Sequence, residues 1–288
     1  YDLNDTVTFN AQASQGFRLG GVNDPINLTL CSPEDEAIFG SFQSYDDETL
    51  WNYEVGMKSS FENGIRLNAA AFYADIKDLQ VTLDAGSCSS RISFNVPDAH
   101  TTGVELEIGA RPIDNLDLSF AGSYVQAEFD STVIAPSTGE VLGGIEDGNR
   151  LASVPETQFA AIGTYYFPFA WAPADSEAYV SATFQHVGDR ITQPSDQVPG
   201  AGVFMSGLPF GGATGNEVTN LDLNLDAYQV LNLRAGLVSD TWEAVVYVDN
   251  VTDENANLSF DRERGGRARL GFRTNQPRTF GVTFRLSY

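Results

Sequence analysis

A period of two runs through this chain and rules out most other folds. Near the C-terminal end, Phe280, Val282, Phe284, Leu286 and Tyr288 share one parity, and Thr279, Gly281, Thr283, Arg285 and Ser287 the other. Successive side chains of a strand point to opposite faces, whereas a helix of period 3.6 would mix the two sets. The pattern recurs in Trp51, Tyr53, Val55 and Met57, in Val104, Leu106 and Ile108, in Leu116, Leu118, Phe120 and Tyr124, and in Leu231, Leu233, Ala235 and Leu237. It predicts about ten strands, near 5–17, 48–61, 64–80, 91–111, 115–129, 154–169, 175–190, 223–238, 241–252 and 277–288. Many exceed the usual length of about 5–6 residues and suit a tilted crossing of a bilayer.

The connections alternate in length. Short links fall at Glu62-Asn63-Gly64, Pro112-Ile113-Asp114, Trp171-Ala172-Pro173-Ala174 and Ser239-Asp240. Long links fall near 18–47, 81–90, 130–153, 191–222 and 253–276, and the fourth carries an apolar tip, Gly207-Leu208-Pro209-Phe210-Gly211-Gly212. Asn63-Gly64 is a tight-hairpin signal. Outer-membrane barrels keep short turns on the periplasmic side and long loops outside, a rhythm that a soluble sandwich has no reason to maintain. The expected fold class is therefore all-β, a transmembrane antiparallel up-and-down β-barrel.

Composition agrees where it bears on this. No apolar run reaches the roughly 18 residues of a spanning helix, and the mean hydropathy is −0.18. Alternating strands hide from such averages. The net charge of −23 argues against nucleic acid, which needs a basic footprint. The chain opens Tyr1-Asp2-Leu3-Asn4 without Met or a signal-peptide pattern, so a longer parent protein is expected.

Several stretches resemble the TonB-dependent outer-membrane receptor family. Ser14-Gln15-Gly16-Phe17-Arg18-Leu19-Gly20-Gly21 is similar to the family's SKGFRPGG stretch, and Leu50-Trp51-Asn52-Tyr53-Glu54-Val55-Gly56-Met57-Lys58 to its ENYELGLK strand. Leu67 to Tyr73 and Lys77 to Gln80 resemble the strand that follows, Gly103-Val104-Glu105-Leu106-Glu107 the GVELE segment, and Val248-Asp249-Asn250-Val251-Thr252-Asp253-Glu254 the VKNLTDE segment. The resemblance implies a barrel of 22 strands, a size associated with plugged outer-membrane transporters. Residues 1–288 would be the C-terminal part of that barrel domain, about its last ten strands, without the N-terminal plug. It implies TonB-dependent active uptake of a scarce nutrient such as a ferric siderophore, in the outer membrane of a Gram-negative bacterium. The implied partners are membrane lipid, the TonB energy-coupling complex acting through the missing plug, the barrel-assembly machinery and a small-molecule nutrient. No cofactor is expected.

Candidate sites can be named on this basis. Phe280, Phe284, Leu286 and Tyr288 resemble the terminal signal read by the assembly machinery, and they also suit an ordinary closing strand. Cys31 and Cys88 lie on consecutive long links, so they form either a bridge between loops or two free thiols; an oxidising compartment favours the bridge. Arg262, Arg264, Arg267, Arg269 and Arg273 cluster on the last long link, where they would attract an anionic ligand or pair with acidic loop residues such as Glu34, Asp35, Glu36, Asp46, Asp47 and Glu48. Pairing is the favoured reading. Arg18, Glu54, Arg66, Glu105, Glu107, Arg234, Glu243 and Arg285 are expected on the lumenal face, as a mutually paired, hydrated wall.

An enzyme is not expected. His100 and His186 lie on separate strands, and no nucleophile elbow, phosphate loop or metal-ligand spacing is present. Two rival functions remain open at this point: a passive porin-like small barrel, and a soluble ligand-binding β-sandwich. A sandwich would bury the apolar faces that a barrel turns to lipid.

Overall fold

The computed structural model describes residues 1–62, 64–88, 90–173, 175–205, 218–262 and 270–287. Eleven strands form one antiparallel sheet, and each neighbours the strand before it in the chain. They are β1 (Asp2–Asn4), β2 (Val7–Arg18), β3 (Glu48–Ser60), β4 (Arg66–Asp84), β5 (Arg91–Ile113), β6 (Leu116–Phe129), β7 (Thr157–Phe167), β8 (Ser176–Val187), β9 (Tyr228–Ser239), β10 (Trp242–Asp249) and β11 (Thr279–Leu286). Ten coincide with the alternating segments to within a few residues. The addition is β1, a short stub paired with β2.

The long-and-short rhythm holds with one correction. The link near 81–90 is not long: β4 and β5 run on to Asp84 and from Arg91, leaving only 85–90 between them. At about 3.3 Å per residue, the 23 residues of β5 extend far beyond an apolar band of about 25 Å. This hairpin therefore projects past the rest of the wall. At the other end, Pro112 and Ile113 belong to β5, where the register shifts between Ala110 and Ile113. A residue without an N–H is tolerated at such an irregularity.

Register sorts the side chains into two faces. One rung reads Val55, Ala71, Val104, Tyr124. Another reads Leu118, Gly163, Ala182, Leu233, Val248, Phe280. Between the apolar rungs lie polar ones on the opposite face, such as Lys58, Asn68, Glu107, Ala121, Ala160, Gln185. The apolar face is not buried: Val104 is 52 % exposed, Val246 55 % and Val282 76 %. Exposed apolar area on this scale is unusual for a protein bathed in water.

Aromatic residues bound the face. Trp51 stacks on Tyr53 toward the long-loop end of β3, and exposed Phe61 lies just past its other end. The span from 51 to 61 covers roughly 33 Å of strand, or about 25 Å of height at a 40° tilt. Tyr165 with Phe167 and Trp242 with Phe284 stack toward the short-turn end. Beyond Tyr73 the same parity turns charged, with Asp75, Lys77, Asp98 and His100 joined by ion pairs at Lys77–Asp75, Lys77–Asp98 and His100–Asp130.

The buried core lies at the long-loop end instead. Leu83, Ile92, Phe94 and Val96 of the projecting hairpin pack with Phe39, Phe129, Ala135, Leu142 and Ile145. Phe39 closes a short helix, α1 (Pro33–Phe39), inside the first long link. Small hairpins pair Gly21–Val22 with Ser44–Tyr45, and Asn257–Arg262 with Leu270–Thr274.

The sheet is open: β1 and β11 each have one neighbour in it. Unpaired backbone groups in a bilayer cost several kcal/mol each. Residues 1–288 expressed alone should thus give no barrel that shifts on a denaturing gel when heated, whereas a chain carrying enough further strands to close the sheet should. A heat-modifiable species from the isolated segment would refute this account of its edges.

Candidate functional site

Every expected wall residue falls on the polar face. Register aligns Glu54 with Phe72 and Gly103, Arg66 with Gly109, Arg234 with Ser181 and Tyr247, and Glu243 with Arg285, while Glu105 and Glu107 occupy the same parity of β5. The wall is not mutually paired as expected. Within the set, the ion pair formed among the described residues is Arg285–Glu243, at 2.8 Å. Arg66 and Glu107 stand one rung apart on β4 and β5 without an ion pair, and the remaining opposite charges are separated by more. Arg18 pairs with Glu48 across β2 and β3, and the Asn68 amide donates to Glu107 at 3.1 Å. Glu54, Glu105, Arg66 and Arg234 form no ion pair among the described residues.

Bulky rings on this face lie flat across glycines of the next strand. A Cβ on Gly281 would collide with the Tyr247 ring, and one on Gly236 would meet Tyr179 Cε1 at 2.7 Å. Tyr179 is pinned there by donating its hydroxyl to Glu243 Oε1 at 2.9 Å. Between β4 and β8 the face is lower, because β6 presents Ser119, Ala121 and Ser123 to it. Cavities of about 420, 320 and 600 Å³ follow this lower strip, and Glu107, Arg66 and Asp117 are among their lining residues.

Above the wall, the long links are tied into one rim. Cys31 and Cys88 form a disulfide that joins the first long link to the tip between β4 and β5. Beside it, the Asp35 carboxylate accepts from the Ser87 backbone N–H at 2.8 Å and from the Ser87 hydroxyl. Gln80 donates its amide to the carbonyls of Leu19 and Asp46, and Asn95 exchanges hydrogen bonds with Asp46. Arg150, in the link that follows β6, reaches Asp189, in the link that follows β8, at 2.7 Å. Arg190, nearly buried, donates to the Leu258 carbonyl at 2.9 Å and stands over the Tyr228 ring.

The arginine cluster is only partly visible. Arg264, Arg267 and Arg269 lie outside the described residues, and of Arg262 only the backbone is described. Arg273 pairs with Asp261 across its own hairpin at 2.9 Å, rather than with the acidic first link. There, Asp47 accepts from the Gly20 N–H, and Asp35 and Glu48 have the partners named above. Phe280, Phe284 and Leu286 stand exposed on the apolar face of β11; Tyr288 lies outside the described residues. So do the tip at 207–212 and Asn63.

Helix α1 escaped the alternation argument, although its start was readable. Ser32 accepts from the Asp35 N–H as N-cap, Pro33 follows, and Glu34, Asp35 and Glu36 fill the first turn, a combination that marks helix N-termini.

Comparison with known proteins places this geometry. The family described as TonB dependent receptor-like, beta-barrel matches residues 1–251. The metal-pseudopaline receptor CntO of Pseudomonas aeruginosa is 24 % identical over 197 residues, which are 68 % of this chain and 23 % of that protein. Among solved structures, the ferric yersiniabactin uptake receptor FyuA from Yersinia pestis superposes with a TM-score of 0.68 at 19 % identity, over 100 % of this chain and 36 % of that one. The siderophore receptor PiuA from Acinetobacter baumannii gives 0.61 at 16 % identity, over 99 % and 34 %. The chain thus spans about a quarter of the curated relative's length and about a third of these structures.

Two outcomes follow for the rim. In the chain-entropy account, closing 57 residues with a disulfide is worth roughly 4 kcal/mol. Replacing both cysteines by serine should leave the first link docked through Asp35, Gln80 and Asn95, yet speed hydrogen exchange across 19–47; unchanged exchange would contradict this. Asp253, in the last long link, is held below the usual carboxylate range, chiefly by the Arg278 backbone N–H, with the Arg278 charge and side-chain bond helping against desolvation. A depressed carboxyl contributes stability above the unfolded value and loses it as pH falls through the folded one. Protection of the Arg278 amide should therefore persist from neutral pH down to the ordinary Asp range and fade below it, and Asp253→Asn should weaken it at neutral pH and remove that pH dependence.

Proposed function

Because the chain belongs to the TonB-dependent receptor-like β-barrel family, we propose that it forms the C-terminal part of the wall and rim of an outer-membrane importer for a scarce metal chelate, with a ferric siderophore as the leading candidate. The observation that carries this reading is the two-faced sheet. Its apolar side, bounded by aromatics, suits lipid. Its polar side carries Arg18, Glu54, Arg66, Glu105, Glu107, Arg234, Glu243 and Arg285 and suits a hydrated lumen. A sandwich would require a second sheet over the apolar side, and a passive pore would not account for the family match.

In this reading the wall supplies no chemistry of bond making. The rim narrows access and offers hydrogen-bonding groups to an arriving chelate, while the polar face gives it a wet passage. Energy would come from the inner membrane through TonB, acting on a plug domain in the full-length protein. The terminal residues Phe280, Phe284 and Leu286 would serve assembly by strand addition at the β11 edge. Siderophore and metal receptors among the similar proteins support the substrate class.

The test uses the full-length gene in its own host. Its deletion should abolish uptake of a labelled ferric siderophore from a panel of chelates, and loss of TonB should do the same. Uptake that survives loss of TonB would favour a passive pore. A full panel with no lost substrate would remove the chelate from the proposal.

A further inference from the structure

The apolar face carries a groove of about 820 Å³ that the import reading does not use. It crosses six strands, from Leu116 on β6 to Phe280 and Val282 on β11. At about 4.8 Å between strands, its length is roughly 24 Å, that of an extended fatty acyl chain. The floor is made where side chains are missing: Gly163 on β7, Ala182 on β8 and Ala235 on β9. Tyr165, Leu233 and Phe280 stand up around it. The charged residue along it, Arg234, belongs to the other face by register, as do Ser181, Tyr247 and Gly281. Packing does not demand the floor glycine. A Cβ on Gly163 would meet only Leu118 Cδ2, at 3.4 Å, an ordinary contact.

We propose that this groove seats one acyl chain of a membrane phospholipid. The inference rests on the lipid-facing reading of the apolar side. The groove is continuous with that face and lies next to the aromatic pair Tyr165–Phe167, which marks the short-turn boundary. Its occupant must therefore come from the hydrocarbon of the nearer leaflet. The one side-chain hydroxyl on its apolar face is that of Tyr165; the rest of that face offers methylenes close van der Waals contact and little to a headgroup. A second copy of the chain fits less well, because a slot two rungs wide is far smaller than the 1,200–2,000 Å² of a stable interface.

The experiment is native mass spectrometry of the full-length protein extracted from its membrane in mild detergent. Wild type should retain one phospholipid per barrel through detergent exchange. Gly163→Leu with Ala182→Leu fills the floor and should lose it, and Ala235→Leu alone, at the far side of the floor, should weaken retention in case the double variant assembles poorly. Heat-modifiability on gels reports the barrel separately from the lipid. Equal lipid retention in heat-modifiable wild type and variants overturns the proposal, as does wild type without bound phospholipid, or a dimer mass that the variants abolish. If the wild type is not heat-modifiable, the barrel reading fails and takes the groove's occupant with it.

Discussion

The structure depends on one requirement, that each backbone N–H and C=O in the wall find a partner without help from water. A bilayer interior offers no such help, so strands must pair with strands and the sheet must close. A chain meets this most simply by pairing each strand with its predecessor, and that is the order seen from β1 to β11. The antiparallel register then follows from short turns, and the two-faced character follows from register. Side chains are left to decide what each face meets, not whether the strands form.

This inverts the usual relation between core and surface. In the wall, large apolar side chains such as Val55, Val246 and Phe280 stand exposed, while small or polar groups face the other way. The buried cluster around Ile92, Phe94, Phe129 and Ile145 sits in the rim, where water returns and a hydrophobic core is again useful. The molecule therefore uses two solvents and two folding rules. The charged band at Asp75, Lys77, Asp98 and His100 lies where one rule gives way to the other.

The wall was legible in the sequence because a period of two needs no partner to be seen. Ten strands, their faces and the polar parity of all eight wall residues came from alternation alone. The rim was not legible to the same degree, since its contacts join residues far apart. No local pattern announces that Gln80 will hold Asp46, or that Arg150 will reach Asp189. Gly86 and Ser87 have the character of loop residues, so the sequence suggests a long link where the strands on either side in fact continue to Asp84 and from Arg91. Alternation assigns charges to a face but says nothing of the rungs that separate Glu54 or Glu105 from a cation, so it overstates pairing within the wall. The disulfide shows the intermediate case: two cysteines are easily noticed, yet the choice between a bridge and free thiols was left to compartment, and geometry supplied the answer.

The register has a consequence for how such a chain can change in length. A single residue inserted within β6 would invert every side chain between the insertion and the next turn, sending Ser119 and Ala121 toward lipid and Leu118 and Phe120 toward water. The same insertion in the long link at 130–156 would shift nothing in the wall, because no parity is carried across it. Insertions and deletions are thus admitted at one end of the molecule and refused along its height. The rim is the part free to be lengthened, shortened and remade, while the wall beneath it keeps count.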